Sequence, residues 1–150
     1  MSKIKIHTEG YAKRGEKLFL EIELNLPQPL KARKLEVTLN CIQIKKSKTM
    51  TEMHVFDRME EKELGIPHQT HMRERTSIIE KVAYKQTKKL DGERLYESAK
   101  YSVDFDIPNN SLPTIKHFDA HGRKVGWFVV AKLDVPLALD IVAKKEIIVE

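Results

Sequence analysis

A single cysteine, Cys41, stands in this sequence of 150 residues. No disulfide can therefore form within the chain, and a reducing, cytoplasmic home is the simplest expectation. No apolar run approaches the ~18 residues that cross a bilayer as a helix. The opening Met1-Ser-Lys-Ile-Lys-Ile6 is charged and alternating, without the apolar block of a secretory leader. Aromatic residues make up only 7% and are not interleaved with the basic ones, unlike the stacking platform of a single-strand nucleic-acid binder. Gly-x-Gly-x-x-Gly and Gly-x4-Gly-Lys phosphate loops, the Gly-x-Ser-x-Gly nucleophile elbow and the His-Glu-x-x-His helix are all missing. No cofactor is expected, and an enzyme is disfavoured, although a site assembled from distant segments would leave no such trace.

What is present fits one soluble domain spanning residues 1–150. Apolar residues reach 41%, enough for a core, and a domain of this length buries about 70% of its unfolded surface. Lys and Arg number 27 against 22 Asp and Glu, a net charge of +5 with the signs interspersed. That excess permits weak attraction to phosphates or acidic peptides, but an ordinary mixed-charge surface explains it as well, and nucleic acid is not favoured as a partner.

Hydrophobic alternation supplies the fold class. Leu18, Leu20, Ile22, Leu24 and Leu26 hold one phase of a half-buried strand, bounded by Gly15-Glu16 and Pro27-Gln28-Pro29. Lys3 to Glu9 reads as a short strand, and Gly10 to Gly15 as a turn. In Arg33 to Lys46, Leu35, Val37, Leu39 and Cys41 share one phase before Ile42 and Ile44 take the other, which suggests a bulge, a corner where the strand changes sheet, or a stretch covered on both faces. Thr76, Ile78, Val82 and Tyr84 share a phase of a further strand, and Lys88 to Gly92 reads as a turn or a single helical turn. Tyr101 to Pro108 alternates again. Trp127, Val129, Ala131 and Leu133 face one side of a strand whose other side carries Phe128 and Val130; a strand apolar on both faces belongs at the centre of a sandwich. Ile147 and Val149 close the chain. Residues 47–74 stay open: Met53, Phe56 and Leu64 fit the stripe of one short helix stopped by Gly65 and Pro67, and equally a strand followed by a long loop. Seven or eight strands separated by turn signals predict an all-β, two-sheet antiparallel sandwich of immunoglobulin-like type.

Few residues suggest chemistry. His117, Asp119 and His121 would share a face if extended, and their N/N/O donor set suits zinc; a metal-binding protein or metalloenzyme built on them is the alternative function. An exposed polar hairpin is the simpler reading, favoured by Gly122. Asp104 and Asp106 also share a face, but alternate with core residues and read as a solvent-facing edge rather than an acid–base pair. Cys41 falls on the inward phase and reads as a small core residue. The basic clusters at Lys13-Arg14, Lys31 with Arg33-Lys34, Lys45-Lys46 with Lys48, and Lys88-Lys89 read as solvated turns able to hold a phosphate or carboxylate.

Several stretches together carry a family resemblance. Arg14-Gly15-Glu16-Lys17 before a strand, with Pro29 to Leu39 after it, resembles the opening of the arrestin amino-terminal lobe. Tyr101-Ser-Val-Asp-Phe-Asp-Ile-Pro108 is similar to that family's aromatic-x-Phe-x-hydrophobic-Pro strand. Leu112-Pro113, Val125 to Pro136 with its Ala-x-Leu-Asp-x-Pro run, and Lys144 to Val149 resemble the family's later strands. The match covers residues 3–46 and 90–150. Relatives include the α-arrestins, the retromer arrestin-like subunit and microbial sporulation-control proteins. The resemblance implies a non-catalytic cytoplasmic adaptor that engages partner proteins through sheet edges and loops. Acidic or phosphorylated segments of membrane-associated proteins are the expected partners, and pairing of open sheet edges would also allow homo-oligomers. By position, Lys13, Arg14, Lys88 and Lys89 are the nearest matches to the family's phosphate-sensing residues, although the local sequence departs from the family there.

Overall fold

A computed structural model describes residues 3–54 and 70–150, with side chains for 3–47 and 76–150. The strands are β1 (Ile4–His7), β2 (Tyr11–Ala12), β3 (Lys17–Leu24), β4 (Leu30–Ala32), β5 (Lys34–His54), β6 (Thr70–Asp91), β7 (Arg94–Tyr96), β8 (Ala99–Asp106), β9 (Arg123–Asp134) and β10 (Ile141–Val149). No helix occurs among the described residues. Seven of the ten correspond to the expected strands; β2, β4 and β7 are two or three residues long, below what alternation can register.

One layer is a three-stranded sheet in the order β1-β3-β8, the other a five-stranded sheet in the order β2-β10-β9-β5-β6, and β4 pairs with β7 in a small third sheet. β3 shows why alternation decides the layering. Leu18, Leu20, Ile22 and Leu24 are buried, while Lys17 before them and Phe19 among them are exposed. Facing them from the larger sheet are Leu35, Val37, Leu39 and Cys41 of β5 and Val125, Trp127, Val129, Ala131 and Leu133 of β9, all buried. Each large side chain so removed from water contributes roughly 1.5–3 kcal/mol. β9 lies between β10 and β5, with Phe128 and Val130 half-buried on its outer face, the central place its sequence demanded. The single indole is wholly buried, and its N–H donates to the Leu112 carbonyl at 2.8 Å.

Four sequence expectations change. Residues 10–15 are not a plain turn, because Tyr11 and Ala12 pair in parallel with Ile148 and Val149 before the chain turns at Gly15. Lys88 to Gly92 is neither turn nor helical turn. β6 runs through Asp91, its ladder held by Val37 opposite Lys88 and Glu36 opposite Lys89. Residues 51–54 are strand, paired with 70–73, so a helix cannot begin at Thr51; the rest of that stretch, 55–69, lies outside the described residues. Finally, Val82 and Tyr84 do not share a face, because the β5–β6 ladder slips between them.

Candidate partner-binding cleft

A two-layer sandwich has two open sides. On one, β1 runs beside β10; on the other, β8 runs beside β6. A lysine crosses each. Lys145 Nζ donates to the Ile6 carbonyl at 3.3 Å, and Lys88 Nζ donates to the Asp104 carbonyl at 2.5 Å while lying 5.3 Å from the Phe105 ring centroid. Lysines on strand edges hinder stray pairing, since an edge otherwise offers a row of unpaired donors and acceptors.

The β8 edge is such a row. Ile107 exchanges hydrogen bonds with the chain entering β3: its N–H goes to Glu16 O at 2.9 Å and its carbonyl accepts Gly15 N–H at 2.7 Å. By alternation Tyr101, Val103 and Phe105 bond inward to β3, and the main-chain groups of Lys100, Ser102 and Asp104 face away from it. Among the described residues no strand pairs with that side.

Beside this edge the β5–β6 register shifts by one residue. Cys41 pairs with Tyr84 and Ile42 with Val82, leaving Ala83 as an extra residue. The expected bulge is present at this point, but its extra residue lies in β6; β5 itself pairs with β9 without a break, so Ile42 and Ile44 simply lie on its outer face. The bulge turns Tyr84 inward with Cys41 and Val82 outward with Ile42, which is why Val82 is exposed. Around Ala83 opens a cleft of 470 Å³, lined by Cys41, Gln43, Lys81, Tyr84, Pro108 and Leu112 among others. Tyr84, in the lining, packs against the fully buried Trp127, with ring centroids 5.8 Å apart and tilted by 43°. The Tyr84 hydroxyl donates to Gln86 Oε1 at 2.9 Å. Burial raises the Tyr84 pKa and pushes the Cys41 thiol up to about 11, so Cys41 is a neutral core residue rather than a nucleophile. The arrangement offers main-chain pairing along β8, an apolar and aromatic recess, and the Lys81 ammonium.

The residues singled out in the sequence distribute unevenly about this cleft. Lys88 clips the β8 edge. Arg14 reaches the cleft wall, its guanidinium 3.5 Å from the Ser111 carbonyl. Lys13 sits in the turn before β3, its carbonyl accepting Glu16 N–H at 3.1 Å, and Lys89 is exposed beyond the clip; neither touches the cleft. Asp104 and Asp106 share Lys17, at 3.3 and 4.0 Å, as a solvent-facing edge would. The extended arrangement of His117, Asp119 and His121 is not formed. Asp119 Oδ1 accepts the N–H groups of His121 and Arg123, both at 2.9 Å, which builds a turn completed by Gly122. The Arg123 N–H bond above all holds the Asp119 carboxyl below its ordinary pKa. No three His, Cys, Asp or Glu converge as metal ligands among the described residues. Sequence reasoning missed the cleft itself. Its one signal was the change of apolar face after Cys41 in β5, which does not reveal the extra residue in β6.

No protein-family model and no curated protein matches the sequence. Among solved structures the chain is similar to that of Spo0M, a sporulation control protein from Bacillus subtilis. The match has a TM-score of 0.53 at 16% identity and covers 99% of this chain and 49% of the other. The chain thus spans about half the length of that protein, and at this identity the likeness concerns the fold alone. That fold is the arrestin-like sandwich which the sequence resembled.

Proposed function

We propose that this chain is a non-catalytic adaptor module that holds an extended segment of a partner protein along the outer edge of β8, with one side chain of that segment in the cleft over Tyr84. The observation that carries this reading is the β8 edge itself. Its outward main-chain groups have no strand partner among the described residues, and the cleft continues it toward Pro108 and Leu112. Strand addition draws affinity from such main-chain bonds and selectivity from neighbouring pockets. Lys81 and Lys88 favour an acidic or phosphorylated segment, and displacement of Lys88 from the Asp104 carbonyl frees both a cation and an acceptor. The arrestin-like fold supports an adaptor role. A cytoplasmic location, and homo-oligomers formed through the same kind of edge, belong to this reading.

The test is a titration of fluorescent acidic peptides, with and without phosphoserine, monitored by anisotropy. Ser102→Pro deletes an outward N–H and leaves the inward ladder to β3 intact, so it should abolish binding that Ser102→Ala retains. If no peptide binds the wild type, or if Ser102→Pro binds as well as wild type, the reading fails.

A further inference from the structure

β6 forms one margin of the five-stranded sheet, and among the described residues no strand pairs with its outer edge. That edge has two unlike halves. Residues 85–91 run beside the sandwich and carry Lys85, Lys88 and Lys89, with Lys88 bonded to the Asp104 carbonyl. Lysines of this kind keep an edge from pairing with other chains. Residues 76–82 instead carry Ile78, Ile79 and Val82, which are 66%, 58% and 54% exposed. By alternation Ile78 and Val82 project on one face and Ile79 on the other. Here β6 also leaves the sandwich. β9 follows β5 only as far as Lys45, opposite Arg123, and a last main-chain bond joins Lys46 N–H to the Gly122 carbonyl. From Ser47, opposite Ser77, to His54, opposite Thr70, β5 and β6 pair only with each other among the described residues. A two-stranded ribbon is marginally stable by itself in water, and a further strand along its edge supplies what it lacks.

The sequence of the edge says which strand fits. An extended strand can pair antiparallel with its own copy about a two-fold axis, so that one residue lies opposite itself and the others pair symmetrically around it. With the axis at Ile79, Ile79 meets Ile79 of the second copy, Ile78 meets Glu80, Ser77 meets Lys81 and Thr76 meets Val82. On the Ile78 face the diagonal neighbours are Ile78 and Val82 of the second copy. No like charges are opposed within residues 76–82. Each axis within two residues of this one opposes them. At Ser77, Glu80 meets Glu74; at Ile78, Lys81 meets Arg75; at Glu80 or at Lys81, that residue meets itself. Like charges directly opposite are destabilising. The side chains thus select one register, and a second copy of this chain as the strand that fits it. The extra residue at Ala83 bends β6 and ends the regular stretch short of Lys88 and its tie to β8.

We infer that residues 76–82 of β6 pair with the same residues of a second copy, two-fold about Ile79, in a homodimer that joins the two larger sheets edge to edge. The inference names the edge used for self-association and does not depend on peptide capture at β8. The experiment is light scattering of the whole chain over a concentration series, combined with covalent trapping. The wild type should pass from monomer to dimer as concentration rises. Ile79→Lys sets two ammonium groups opposite each other at an exposed position and should weaken the dimer at least roughly tenfold. An equimolar mixture of Ile79→Lys and Ile79→Glu should restore it, because residue 79 faces itself. In a Cys41→Ala background, Ile79→Cys should form an interchain disulfide on mild oxidation, since opposed Cα atoms lie about 4.5–5.5 Å apart. Lys85→Cys in the same background should not. A wild type that stays monomeric, a dimer indifferent to Ile79→Lys, or equal trapping of Lys85→Cys would each overturn the inference. So would a dimer abolished by Ser102→Pro instead, which would put self-association at β8. Peptide binding at β8 should be the same in Ile79→Lys as in the wild type, so the two readings fail separately.

Discussion

Lys88 belongs to the five-stranded sheet, yet its ammonium ends 2.5 Å from the main-chain carbonyl of Asp104 in the three-stranded sheet. One side chain thus ties the two layers across an open side, with its charge near the Phe105 ring. Lys88→Met keeps the stem and removes the donor. It should lower unfolding stability by about 1 kcal/mol, the net value of one hydrogen bond. Lys89→Met, on the exposed neighbour, should change it by less than ~0.5 kcal/mol. Urea titration of both variants decides; equal effects would mean that the tie contributes nothing.

Cys41 is 1% exposed, and burial alone sets its thiol at about 11 against 9.0 for a free group. The unfolded chain therefore loses the thiol proton first, and between those two values the folded state holds more protons. Stability attributable to Cys41 is complete below about pH 9 and falls as pH rises toward 11, by on the order of 2 kcal/mol. Cys41→Ala should flatten that part of the pH profile. At neutral pH a thiol reagent should label the native protein only as fast as it opens.

Gly122 has a φ of 70°, and a Cβ there would lie 2.5 Å from the Lys46 carbonyl oxygen. Gly122→Ala combines a left-handed penalty with a clash against backbone, and should cost roughly 2–4 kcal/mol. Gly10 has a similar φ of 74° but open space around it, so Gly10→Ala should cost about 1–2 kcal/mol, the conformational part alone. Thermal melts that rank the two equally would show that the Lys46 contact does not matter.

Asp119 bonds to two main-chain N–H groups and holds a lowered pKa, so its contribution is present at neutral pH and is lost as pH falls through its folded value. Asp119→Ala should reduce the melting temperature at pH 7 and shrink that gap in acid. Because the carboxylate is engaged in the turn, added zinc should leave the melting temperature of the wild type unchanged. A zinc-dependent rise that His117→Ala removes would restore the metal reading.

Much of the fold was legible because burial in a sandwich repeats every second residue. β3 and β9 announce themselves that way, and the change of apolar face after Cys41 fell where the β5–β6 ladder carries its bulge. The same bulge hid β6: one extra residue at Ala83 makes Val82 and Tyr84 look like partners on one face when they point oppositely. Lys88-Lys-Leu-Asp-Gly92 has the composition of a turn, and only the opposite residues Glu36 and Val37 keep it extended, a long-range cause that local reading does not see. Of the site, Lys88 and Arg14 were singled out as members of basic clusters and by the resemblance, but nothing in the sequence tied them to a cleft. The cleft beside them depends on which residues lie opposite one another.

The middle strand of the larger sheet also has a bearing on how the molecule is made. β9 separates β10 from β5, yet it is synthesised only after β1 to β8 have been translated. Until Ala131 and Val129 arrive beside Val37 and Leu39, the nascent β5–β6 hairpin leaves the ribosome with the inner edge of β5 unpaired. At synthesis rates of about 5–20 residues per second that interval lasts seconds, long enough for a chaperone to find it.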